Sequence, residues 1–225
     1  PRPVEARPGR RPAVVGVRSG SVCLLLVGAP TELLQRPGVH SLVIAVEEAL
    51  RRHGLNLLLT QASRLDSLPP AITGRKADGI LLIGESTCDL PKRHRQLPAV
   101  WVLSSHTRPH RWADHVLPDN EQVARLAIEY LLRQRHQQIA FFNDQPEHPG
   151  FVQRGQAFVH QAASQAVDVV TFLSTESAKV GTTVWGFAEA HRSTLELVDQ
   201  LLKASPRPTG VFVPSDEQAM RLYSA

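Results

Sequence analysis

Val22-Cys23-Leu24-Leu25-Leu26-Val27 is an unbroken apolar run near the start of the chain. A strand with one solvated face alternates apolar and polar residues. An unbroken run of this length instead describes a strand buried on both faces, as in a parallel sheet covered by helices. Working outward from it, the pattern repeats. A helix is expected from about Ser41 to His53, with Leu42, Val46, Ala49 and His53 on one stripe, Ser41 as cap and Gly54 as stop. Leu55 to Thr60 reads as the next strand. Leu68 to Lys76 reads as a short helical connection confined by Pro69 and Pro70. Ile80 to Ile83 and Ala99 to Leu103 read as further strands, followed by a polar loop from Ser104 to His115 and a short strand at Val116-Leu117.

Asp119 or Asn120 can cap a helix running to about Arg133, whose stripe is Ala124, Ala127, Ile128 and Leu131. A second set of units begins at Ile139 to Phe142. It continues with a helix from Arg154 to Gln165, a strand from Val167 to Leu173, a helix from His191 to Lys203, the strand Gly210 to Val213, and a last helix from Asp216. Strands alternating with helices imply right-handed crossovers and mostly parallel sheets. The expectation is an α/β chain with two doubly wound lobes, residues 21–135 and 136–225, behind a Pro/Arg-rich arm at 1–20. Ligands of such sheets bind outside the carboxyl ends of the strands, which places a cleft between the lobes.

The 225 residues are 42% hydrophobic and 20% charged, a globular composition without an apolar run near the ~18 residues of a membrane span. Membrane, collagen-like and fully disordered classes are excluded. The net charge is +4, and the arm alone carries it: Arg2, Arg7, Arg10, Arg11 and Arg18 stand against Glu5. The body from Ser21 is formally neutral, so the basic character describes the arm. Cys23 falls in a buried strand and Cys88 in a loop, which fits a reducing cytoplasm better than a disulfide framework.

The chemistry-bearing signals are sparse. No Gly-rich dinucleotide fingerprint, phosphate-binding loop, nucleophile elbow or paired-cysteine metal spacing occurs. His106, His110 and His115, with Asp114, could share a metal, or could be solvated loop histidines separated by Pro109. Lys92-Arg93-His94-Arg95 could meet phosphates or simply be wet surface. Asp119 and Asp216 both follow strand ends and head helices, where a carboxylate serves either as a cap or as a ligand contact. Arg154 opens a predicted helix, where the dipole disfavours a cation unless an anion or polyol compensates. No nucleophile or general base accompanies these groups, so no enzyme, cofactor or metal is expected.

The order of these segments resembles the ligand-binding core of LacI-type bacterial transcriptional regulators, a periplasmic-binding-protein-like fold of type I. Ala77-Asp78-Gly79-Ile80-Leu81-Leu82 is similar to the family's third-strand segment, and Pro98-Ala99-Val100-Trp101-Val102 to the next. Asp119-Asn120 with Ala127 and Leu131 resembles the helix entry of that family. His136-Gln137-Gln138-Ile139-Ala140 resembles its His-x-x-Ile-Ala strand. Arg154-Gly155-Gln156-Ala157-Phe158 is similar to its Arg-x-x-Gly-Phe motif with Ala157 for glycine, and Ser215-Asp216 to its Asn-Asp motif with Ser215 for asparagine. Arg36-Pro37-Gly38-Val39-His40 takes the place of the Asn-Pro-aromatic loop, with Val39 for the aromatic.

The resemblance implies effector contacts at Arg154 and Asp216, with Asp119, Arg36 and His40 as further candidates. It implies a cytoplasmic homodimer, a small polar effector such as a sugar or nucleoside, and operator DNA as partner. The family's helix-turn-helix does not precede the core in this sequence, and the last strands of the second lobe are expected to be incomplete. A solute-binding protein of a transporter, and a sugar or nucleotide hydrolase, are the competing readings.

Overall fold

In the computed structural model, the described residues are 19–29, 31–84, 86, 88–103, 112–175 and 187–225. The first sheet contains β1 (Ser21–Val27), β2 (Asn56–Ala62), β3 (Gly79–Gly84), β4 (Ala99–Val102) and β5 (Asp114–Val116). All pairs are parallel, in the order β2-β1-β3-β4-β5. The apolar run of β1 divides by parity, as a pleated strand must. Cys23, Leu25 and Val27 pack with Ile72, Ile80, Leu82 and Trp101. Leu24 and Leu26 pack on the other face with Leu33, Ile83 and Val102, under Val39 and Leu42 of α1 (Pro37–Arg52). Burial of Cys23 pushes its thiol up to about 11, so it behaves as a small apolar side chain.

Helix α1 starts four residues before the expected Ser41. Arg36 occupies the N-cap position and Pro37 the first turn, where its fixed φ and missing N–H cost nothing. A short helix, α2 (Pro70–Thr73), starts at the second proline of the pair rather than after it, with Pro69 in its N-cap position.

The second sheet holds β6 (Ile139–Asn143), β7 (Val169–Leu173) and β8 (Gly210–Phe212), parallel in the order β7-β6-β8. Ile139 and Phe141 of β6 face α3 (Asn120–Arg133) and α4 (Pro149–Ser164) through Ala124, Ile128, Leu131 and Phe158. Ala140 and Phe142 face the opposite side, with Leu197 of α5 (Phe187–Lys203) and Leu222 of α6 (Asp216–Ser224). The sequence grouping put α3 with the first lobe, but its buried stripe packs on the second sheet.

Helix α4 begins at Pro149, a turn and more before Arg154, which is therefore an interior helical residue and not a helix-opening cation. Gly155, next to it, is a close-approach position. A Cβ there would lie 2.4 Å from Cε1 of Phe141, so the absent side chain lets α4 lie directly on β6. Strand β5 covers Asp114–Val116 rather than Val116-Leu117. Among the described residues no helix is long and apolar enough to cross a membrane.

Both sheets share one arrangement: a central first strand flanked by the second and third. Successive strands are added on opposite sides of β1 in one sheet and of β6 in the other, so the strand order reverses between β1 and β3 and between β6 and β8. Such switch points leave a crevice at the carboxyl ends of the strands.

Candidate functional site

The carboxyl ends of β6 and β8 deliver a dense polar cluster. After β8, the carbonyl of Pro214 accepts a hydrogen bond from Nη1 of Arg154. Nε of Arg154 donates to Oδ1 of Asn120 at 3.1 Å. Two fixed acceptors on different elements thus set the direction of the guanidinium fork. Burial lowers the pKa of Arg154, and the negative charge of Asp216 opposes that shift. The guanidinium stays cationic throughout.

Asp216 is exposed, and it is not the cap of its helix. Ser215 holds that position, its hydroxyl accepting from the amide of Gln218 at 3.3 Å. The carboxylate of Asp216 is therefore available beside Arg154. The two groups to which the family resemblance assigned ligand contacts lie together at the switch point of the second sheet.

Asp119 has a different position. Its carboxylate caps α3, accepting from the amide of Gln122 at 2.9 Å. It borders an open groove of about 470 Å³ between α3 and α4, lined also by Pro118, Asn120, Gln153, Gln156 and His160. The neighbour of Arg154 is Asn120, the next residue, whose Nδ2 also donates to Gln153 at 3.3 Å.

From the first lobe, Arg36 reaches across to Glu217 at 3.2 Å. Burial lowers the pKa of Arg36, Glu217 opposes the shift, and the charge of Arg221 adds to it. The contact shows that the carboxyl ends of the two sheets face each other. His40 sits on the first turn of α1, exposed.

Several groups here carried no sequence signal. Asp144 follows β6 and is fully buried. Arg221 of α6 grips it with both Nε and Nη2 at 2.8 Å, and the hydroxyl of Thr194 donates to it at 2.6 Å. Gln218, also buried, donates to Oδ1 of Asn143 at 3.1 Å and accepts from the amide of Asp144 at 3.2 Å. Each bond spans about 50 to 77 residues of chain, so no local pattern announces it.

His148 is the N-cap of α4. Its Nδ1 accepts from the amide of Phe151 at 3.3 Å, and its ring stacks on Phe151 at 3.9 Å. Burial, then the nearby charges of Arg154 and Arg36, hold its pKa down at about 4. The unfolded chain takes up this proton near pH 6.5, before the folded protein can. Stability should therefore fall as the pH drops from about 6.5 to about 4. His148→Asn keeps an acceptor at the cap but has nothing to titrate. The gap in Tm between parent and variant should change steadily across that window, and parallel curves would remove His148 as the cause.

The other sequence candidates resolve less. His106 and His110 lie outside the described residues, and among the described residues no group of His, Cys, Asp and Glu could hold a metal. Of the basic run, Arg95 is committed internally, to the carbonyl of Leu90 at 2.7 Å and to Asp89 at 3.2 Å. Cys23 and Cys88 are both free thiols.

Residues 128–225 match the periplasmic binding protein-like domain family. A LacI family transcriptional regulator from Bifidobacterium animalis is similar at 17% identity and a TM-score of 0.65, covering 92% of this chain and 71% of its own. The transcriptional regulator CelR, in complex with cellobiose, is similar at 20% identity and a TM-score of 0.65, with coverage of 92% and 62%. A LacI family regulator from Lactobacillus casei with bound glucose is similar at 22% identity and a TM-score of 0.58, with coverage of 91% and 74%. The chain has the periplasmic-binding-protein-like fold of the LacI-type core. Among curated protein sequences, none matches it. The two parallel sheets match the two lobes of the LacI-type fold, and Asp216 immediately precedes Glu217, which Arg36 of the first lobe contacts.

Proposed function

We propose that this chain is the effector-sensing core of a cytoplasmic LacI-type DNA-binding regulator and acts without catalysis. A small, polar, hydroxylated molecule, sugar-like or nucleoside-like, binds between the lobes and alters their relative orientation. In the assembled regulator, a homodimer would pass that change to a pair of DNA-reading heads on operator DNA.

The observation that carries this reading is the Arg154 fork, held by Asn120 and Pro214 beside the uncapped carboxylate of Asp216. The guanidinium offers donors in fixed directions, and the carboxylate accepts hydroxyl protons; together they suit a polyol. Arg36 reaches Glu217 beside the site from the first lobe, Asp119 borders the groove beside Asn120, and His40, exposed one turn after Arg36 on α1, is a further candidate. The cellobiose and glucose held by two structurally similar regulators favour a sugar over a nucleoside.

Isothermal titration calorimetry with a panel of monosaccharides, disaccharides and nucleosides tests the reading. At least one should bind the parent. Arg154→Ala should weaken that ligand by roughly 10- to 100-fold, the loss of one or two charge-assisted hydrogen bonds. Unchanged affinity would take Arg154 out of the site, and silence across the panel would overturn the ligand class.

A further inference from the structure

The Arg36–Glu217 ion pair joins two elements that the chain keeps 181 residues apart, one from each lobe. Arg36 follows a short 3-10 helix (Thr31–Gln35) after β1 and holds the N-cap position of α1, whose apolar side chains pack on the first sheet. Glu217 stands in the first turn of α6, on the second sheet. The pair is partly shielded, with side-chain exposures of 15% and 30%, so water and salt weaken it less than they would a surface pair.

Glu217 is also rigidly mounted. The next residue, Gln218, is tied to Asn143 and to the amide of Asp144, and Arg221 one turn on grips the Asp144 carboxylate. A force on Glu217 therefore passes to β6 and is not lost in a loose helix end. Asp216 immediately precedes it on the same turn.

We infer that Arg36 and Glu217 form an interlobe latch that sets the relative orientation of the lobes. Its anchor is the buried Asn143–Asp144–Gln218–Arg221 network. Opening the lobes separates Arg36 from Glu217, and any change at Asp216 acts on the turn that bears the latch. The inference rests on the contact between the lobes and needs no identified effector.

Interlobe distances measured by pulsed electron spin resonance test it without a ligand. Nitroxides are placed at His53→Cys on the C-cap of α1 and His160→Cys on α4, both exposed. Cys88→Ser removes the half-buried native thiol, and Cys23 is fully buried. Arg36→Glu and Glu217→Arg should each shift and broaden the distance distribution. The double variant Arg36→Glu/Glu217→Arg, which restores the pair with its charges exchanged, should return it towards the parent. Arg36→Gln, which removes the charge without reversing it, should shift the distribution in the same direction, and it keeps the test decisive should a reversed charge prevent folding. Distributions identical to the parent in the single variants, or a double variant no closer to the parent than they are, would overturn the latch.

Discussion

Asp144→Ala should destabilise the protein by about 3–5 kcal/mol, the cost of leaving one partner of a buried ion pair behind. The carboxylate has no exposed surface, and Arg221 retains only 13% of its side-chain exposure. Both were desolvated on folding, and their mutual contact and the Thr194 hydroxyl offset that cost. Alanine would strand the guanidinium in a pocket shaped for a carboxylate and remove the acceptor of the Thr194 hydroxyl. Asp199→Ala is the matched control. Its partner Lys203 lies at 2.6 Å, but the two side chains are 61% and 74% exposed. An exposed pair of this kind contributes ~0–1 kcal/mol. Urea denaturation reads both as shifts in midpoint at constant slope. If Asp144→Ala costs no more than the control, Asp144 is not the anchor of α6.

The second large effect is expected in the apolar layer beneath Arg154. Phe158 lies one turn further along α4 and is fully buried, its ring stacked on Phe212 at 4.6 Å and tilted against Phe141 at 6.2 Å. Phe158→Ala removes the transfer energy of a whole ring and opens a cavity that the rigid sheet cannot fill, a cost of about 3–5 kcal/mol. Neighbouring Val159 is 40% exposed on the same helix, and Val159→Ala should stay within about 0.5 kcal/mol. Equal losses in the two variants would mean that the Phe141–Phe158–Phe212 cluster does not hold α4 on β6. Because Arg154 and Phe158 share one helical face, a loosened α4 should also blunt whatever Arg154 binds.

The central strands of both sheets were legible because burial on both faces leaves a composition that no half-exposed element shares. The run from Val22 to Val27, the Ile80 segment and the Ile139 segment all read correctly for that reason. Helix starts read less well. Pro37 and Pro149 begin their helices ahead of the apolar stripe, and a stripe marks only the buried part of a helix. The placement of α3 was not legible at all. Its stripe of Ala124, Ile128 and Leu131 states that one face is buried but not which sheet buries it.

The site divides in the same way. Arg154 and Asp216 were named through the resemblance of their motifs to the family's, and the fold brings them together. Asp144, His148, Gln218 and Arg221 could not be named, because an isolated polar residue looks the same whether it meets water or a buried partner, and Asn120 was visible only as a helix entry, not as the partner of Arg154. Arg36 was visible as a candidate, yet nothing near it points to Glu217. Periodicity and local spacing are properties of neighbours along the chain, and they determined the alternating α/β architecture and the residues at its strand ends. Which polar groups meet, which are buried and which bridge the lobes depend on contacts between residues distant in sequence, and those were decided only when the sheets closed against their helices.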